Sequence, residues 1–101
     1  MKTRLELQDA LEALLGSRNV YFQPPENVKM KYPCIVYHKT PGWQRHADNE
    51  EYHYHDKYEL TVIDKDPDSL LPEKVRKLPL CRYDRHYVSD NMYHDTFELY
   101  W

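Results

Sequence analysis

The sequence predicts an α+β fold, a mostly antiparallel β-sheet with an N-terminal helix and a second short helix packed on one face. Two stretches have apolar residues at helical spacing, and several others alternate between apolar and polar residues. Ten Tyr, seven Pro and only two Gly are typical of sheets with stiff connections. A chain of 101 residues has room for one domain, residues 1–101.

The first helix is predicted over residues 3–15. Thr3 and Glu6 have the spacing of a capping box at its start, and Gly16 follows as a C-terminal cap. The leucines between them lie three or four positions apart and form one apolar stripe: Leu7, Leu11, Leu14 and Leu15.

Strands are predicted wherever apolar residues alternate or run together. Residues 34–37 are apolar on both faces, which indicates a central strand, and residues 52–63 alternate over an unusual length. The other elements are strands over 20–22, 80–88 and 95–101, the last two joined by 89–91, and a second helix over 70–78. The predicted core is Leu7, Leu11, Leu14, Ile35, Val36, Leu60, Val62, Val75, Leu78, Phe97 and Leu99.

The strand over 52–63 predicts an interaction surface. Twelve extended residues span about 40 Å, which is more than a domain of this size covers. We therefore expect the segment 47–58 to project as part of a long β-hairpin and to bind a neighbouring subunit or another component. A tryptophan in the loop before it is a second candidate anchor. The candidate interface residues are Trp43, Asp48, Asn49, Glu51, Tyr52, His53, Tyr54, His55 and Lys57.

Charge and apolar patterning disfavour several classes of protein. The net charge of −3 disfavours a dedicated nucleic-acid binder. No apolar run approaches the length of a membrane span, and no signal-peptide pattern follows the first residues. Two cysteines do not make a disulfide framework, so a reducing compartment is expected.

No catalytic motif stands out, and the chain is expected not to be an enzyme and to use no cofactor. His53 and His55 could supply two zinc ligands, with a third from His38, His86, His94 or an acidic residue. A solvated polar face is the favoured interpretation, so no metal site is predicted. Glycine-rich phosphate loops, GxSxG, HExxH and CxxC are absent from the sequence. Cys34 and Cys81 are expected to be small buried residues.

Basic and aromatic residues interleave over 82–87, a pattern that also occurs in proteins that bind single-stranded nucleic acid. Asp84 interrupts this run, and the chain as a whole is acidic. An ion-paired sheet surface is therefore the favoured interpretation.

Four runs carry a resemblance to a known class of proteins: Ala47-Asp48-Asn49, YELTVIDKDPDS at 58–69, DRHYVSDN at 84–91 and FELYW at 97–101. With the predicted order of elements, they resemble the tail-terminator, or tail-completion, proteins at the head–tail junction of long-tailed bacteriophages and prophages. The resemblance covers most of the chain, and its motifs are structural rather than catalytic.

The resemblance implies a structural virion protein of the neck, present in the host cytoplasm during assembly. Its partners would be other copies of itself in a hexameric ring, the tail tube protein and the head-connector or stopper protein. DNA would pass through the lumen without sequence-specific binding, and no membrane would be involved. The alternatives are a stopper or another neck or minor capsid component, a free binding or regulatory domain, and a metal-dependent enzyme built on the histidine pair.

Overall fold

The computed structural model describes residues 3–40 and 56–101. In chain order the elements are α1 (Arg4–Leu15), β1 (Val20–Phe22), β2 (Cys34–Lys39), β3 (Lys57–Asp64), α2 (Leu71–Arg76), β4 (Cys81–Ser89) and β5 (Met92–Tyr100). The strands form one sheet in the order β1-β2-β3-β5-β4. Only β1 and β2 are parallel; the other neighbours are antiparallel. The predicted α+β class and the predicted order of elements are therefore confirmed.

The ends of α1 follow the predicted signals. The Thr3 hydroxyl accepts a hydrogen bond from the Glu6 backbone N–H at 3.2 Å, and the Glu6 carboxylate accepts one from the Thr3 N–H at 3.1 Å. Thr3 is thus the N-cap rather than the first helical residue. Gly16 ends the helix with φ of 81°, a left-handed conformation that favours glycine.

The core consists of two clusters, one on each face of the sheet. Because strand side chains alternate, the apolar face beneath α1 and α2 holds most of the predicted core. Val36 lies instead in a smaller cluster on the opposite face, with Cys34 and Ile63. Leu14 and Leu78 are only partly buried at the margin of the main cluster, so their placement in the core was wrong. The main cluster is Leu7, Leu11, Val20, Ile35, Tyr37, Tyr58, Leu60, Val62, Leu71, Val75, Phe97, Leu99 and Trp101.

The last two strands form a longer hairpin than the sequence predicted. β5 begins at Met92, not at residue 95, and β4 ends at Ser89. Asp90 and Asn91 both have positive φ, 54° and 61°, which is the signature of a two-residue type I′ turn. Because this turn matches the twist of the strands, pairing continues up to Ser89 and Met92.

A buried tyrosine joins α1 to the sheet. Tyr37 has no exposed surface, and its hydroxyl donates to the Gln8 Oε1 at 2.6 Å while accepting from the Arg4 guanidinium at 3.1 Å. The Gln8 Nε2 donates in turn to the Glu12 carboxylate at 2.9 Å and to the Val20 carbonyl at 3.1 Å. These bonds satisfy polar groups that would otherwise be costly to bury, and they link α1 to both β1 and β2.

Replacement of Leu11 by Ala tests the packing of α1. Leu11 is fully buried, so we expect the free energy of unfolding to fall by about 2–4 kcal/mol. Leu5→Ala is the matched control, because Leu5 lies on the same helix and is 63% exposed; its effect should stay within about 0.5 kcal/mol. Denaturant unfolding measures both. Equal effects would contradict the packing described.

Replacement of Tyr37 by Phe tests the polar link between α1 and the sheet. It keeps the ring but leaves Gln8 and Arg4 without their shared partner, which we expect to cost about 1–3 kcal/mol. Tyr87→Phe is the control, because the Tyr87 hydroxyl makes no hydrogen bond to any described residue and the ring is on the surface. A loss for Tyr37→Phe no larger than for the control would show that the link adds nothing to stability.

Candidate interaction surface

The predicted interface falls mostly outside the described residues. Eight of its nine members lie within 41–55, so the expected projection of 47–58 is not described either, apart from its last residues. Lys57 is described, as the first residue of β3. Of the strand predicted over 52–63, the described part begins at Lys57 and continues one residue further, to Asp64. The eight members outside are Trp43, Asp48, Asn49, Glu51, Tyr52, His53, Tyr54 and His55.

The two ends of the described chain beside this segment are held together at one end of the sheet. Thr40 donates from its backbone N–H and its hydroxyl to the Lys57 carbonyl, at 2.9 and 3.1 Å. Asp56 and Trp101 exchange two backbone hydrogen bonds, at 3.2 and 2.8 Å, and Lys39 forms an ion pair with Asp56 at 3.6 Å. Residues 41–55 thus connect β2 and β3 from two fixed, neighbouring points.

Lys57 belongs to a charged group on the sheet face opposite the helices. Its Nζ lies 3.8 Å from the Glu98 carboxylate and 5.9 Å from the centre of the Tyr100 ring. Arg82 on β4 approaches the same carboxylate at 3.4 Å. These ion pairs are partly exposed, so each contributes at most about 1 kcal/mol and is screened by salt. They create a polar surface across β3, β5 and β4.

The outer half of the β4–β5 hairpin carries a tyrosine–histidine stack on each face. Tyr87 stacks on His94 at 4.7 Å between ring centres, with 17° between the planes. On the other face His86 stacks on Tyr93 at 6.0 Å and 21°. Such cross-strand aromatic pairs hold the two strands in register. Sequence alternation alone did not reveal them, because their partners depend on the turn at Asp90 and Asn91.

Acidic side chains on β5 lie beside part of the basic–aromatic run on β4. The His86 Nδ1 lies 2.9 Å from the Asp95 carboxylate, which also accepts from the Tyr83 hydroxyl at 3.1 Å. Arg82 pairs with Glu98. Arg85 is the exception: its guanidinium lies 5.3 Å from the Tyr87 ring centre and makes no ion pair with another described residue.

A β-bulge divides β4 into two halves at Asp84. The hydroxyl of Thr96, a buried residue on β5, donates to the Asp84 carboxylate at 3.0 Å and accepts from the Arg85 N–H at 3.2 Å. Bulges on outer strands interrupt the row of free backbone groups. The uninterrupted part of the β4 edge therefore runs from Arg85 to Ser89.

The candidate metal ligands are not brought together in the part of the chain that the structure describes. There, no group of three His, Cys, Asp or Glu side chains could hold a metal ion. His86 and His94 lie on opposite faces of the hairpin, and His38 is exposed on β2. His53 and His55 are outside the described residues.

The two cysteines are free, and each begins a strand. Cys34 is fully buried, and Cys81 is partly exposed. Burial raises the pKa of the Cys34 thiol to about 12, with a smaller effect of Asp64 in the same direction. Burial also raises the pKa of Cys81 to about 11, partly opposed by Arg76.

These pKa values predict unreactive thiols in the native protein. The thiolate is the reactive form. At pH 8 a thiol-specific disulfide reagent should therefore modify Cys81 slowly in the native protein and Cys34 more slowly still. After unfolding, the reagent should modify both cysteines rapidly. Because the folded pKa of Cys34 lies above the ordinary value of 9.0, its contribution to stability is complete below pH 9 and is lost as pH rises towards 12. Rapid modification of Cys34 in the native protein would contradict this.

Comparison with known proteins finds no family model, no curated protein and no solved structure that matches this chain. Among the described residues, no helix is long and apolar enough to cross a membrane. The evidence for function therefore comes from the chain's own residues and from the resemblance of its sequence runs.

Proposed function

We propose that this protein is a structural component of the neck of a long-tailed phage, forming a ring that terminates the tail tube and joins it to the head-connector. The observation that carries the proposal is the resemblance of the sequence runs, three of which lie on the three neighbouring strands β3, β5 and β4. Residues 58–69 include most of β3, 84–91 the outer half of β4 with the turn, and 97–101 the end of β5.

The distribution of side chains supports an assembly role. Both helices pack on one sheet face, while the other face presents the Lys57–Glu98 ion pair and the Tyr87–His94 stack. Mixed polar and aromatic surfaces of this kind are typical of protein–protein interfaces, where tyrosine and arginine are enriched and a polar rim is usual.

The proposed ring consists of copies of this chain, six by the resemblance, with the tail tube protein on one side and the head-connector on the other. DNA passes through the lumen without being read. The net charge of −3 supports this arrangement, because an acidic protein repels phosphate rather than retaining it. The role needs no cofactor and no catalysis.

A stopper or another head–tail connector component is the second candidate. The same surface and the same element order support it, since both roles need lateral contacts within a ring. The two roles differ in what fails without the protein. A terminator sets the end of the tail tube, whereas a stopper holds DNA in the filled head.

Deletion of the gene from its phage or prophage tests the proposal. We expect filled heads and separate tails whose tubes lack a uniform end, with joining restored by the wild-type gene and equally by Leu5→Ala, a surface change. Electron microscopy of lysates gives the readout. Tails of normal length beside heads that lose DNA would identify a stopper instead, and intact infectious virions would overturn both roles.

A further inference from the structure

The two outer strands of the sheet differ in what they offer a partner. β1 has three residues, and both outward backbone groups of Val20 are already engaged: its carbonyl accepts from Gln8 at 3.1 Å, and its N–H donates to the Arg18 carbonyl at 2.8 Å. β4 has nine residues and no strand on its outer side among the described residues. The edge available for another strand is therefore β4.

The turn fixes which backbone groups of β4 face outward. Ser89 and Met92 flank a two-residue turn and form a hydrogen-bonded pair. Because pairs alternate in antiparallel sheets, the N–H and C=O groups of Val88 and His86 point away from β5. Val88 is also 59% exposed. These outward groups, two residues apart, are what an added strand needs.

The side chains around this edge indicate the chemistry of the occupant. Tyrosine–histidine stacks lie on both faces, Tyr87 with His94 and His86 with Tyr93. Arg85, at one end of the edge, makes no ion pair with another described residue. A strand of alternating Tyr and His residues would extend both stacks. An acidic residue next to that run in the sequence could pair with Arg85.

Residues 48–55 of the chain have this composition, Asp-Asn-Glu-Glu-Tyr-His-Tyr-His. We propose that the edge of β4 from Arg85 to Ser89 binds residues 48–55 of a second copy as an added β-strand. The inference rests on the proposed function, in which copies of the chain form a ring.

Chain reach excludes the same copy as donor of residues 52–55, the part of the segment that would lie beside the two stacks. Tyr52 is four residues from Asp56 and so lies within about 14 Å of it. Asp56 is hydrogen-bonded to Trp101, whereas Tyr87 pairs with His94, about 20 Å or more along β5. Because donor and acceptor are different surfaces, each copy can bind one neighbour on each side, and such contacts close into rings when the rotation allows.

Cross-linking between two differently tagged copies tests the contact. One copy carries Val88→Cys and the other Tyr54→Cys, and a short bifunctional maleimide joins them. We expect a product that contains both tags. Val28→Cys is the matched control, because Val28 is also an exposed valine but lies in the connection before β2. No mixed product, or equal product from Val28→Cys, would overturn the proposal.

The backbone contribution is tested by Val88→Pro, which removes an outward N–H and leaves the β4–β5 hydrogen bonds in place. We expect self-association on the order of tenfold weaker, measured by sedimentation, with unchanged circular dichroism. Val88→Thr keeps the N–H and should associate normally. If Val88→Pro fails to fold, the cross-link alone decides.

The outcomes separate this inference from the proposed function. A wild-type chain that stays monomeric, or an oligomer unaffected by Val88→Pro, overturns the strand pairing while head–tail joining in the deletion strain still decides the neck role. Conversely, the two tagged copies could cross-link while the deletion strain still produces intact virions. That combination would keep the strand pairing and refute the neck role.

Discussion

The constraint on which the rest of the structure depends is the burial of the Tyr37 hydroxyl beneath α1. A buried hydroxyl must have partners, and here they come from Gln8 and Arg4, both on α1. Gln8 then also holds the Val20 carbonyl of the outer strand β1. One set of hydrogen bonds thus fixes the helix on the sheet and occupies one edge. At the other end of the chain, the indole N–H of Trp101 donates to the Thr3 carbonyl at 2.9 Å and secures the start of the same helix.

The position of the helix layer determines what remains for interaction. With α1 and α2 on one face and β1 engaged by Gln8, the described residues leave uncovered the charged part of the opposite face, around Lys57, Glu98 and Arg82, and the outer edge of β4. The bulge at Asp84 restricts that edge to its outer half. In the proposed pairing the donor segment follows one end of the sheet and the acceptor edge lies near the other, which is the arrangement that head-to-tail assembly requires.

Local patterns predicted the elements better than their arrangement. The capping box at Thr3, the leucine stripe and the alternation of Tyr58, Leu60 and Val62 depend on nearby residues, so the sequence predicted them correctly. Strand order, the exposed edge and the roles of Arg4 and Gln8 depend on pairing between distant segments. Polar helix residues are usually solvated, so their inward hydrogen bonds carried no sequence signal. The Asp90-Asn91 pair carries a turn signal, whereas the predicted connection covered 89–91 and the predicted strand after it began only at 95.

Electron cryomicroscopy of the assembled virion tests the central claim most directly. The account predicts a ring at the junction of capsid and tail tube whose subunits fit the fold of residues 3–40 and 56–101, with the β4 edge of each subunit facing its neighbour. A neck map with no subunit of this fold, or this fold located elsewhere in the particle, would contradict it.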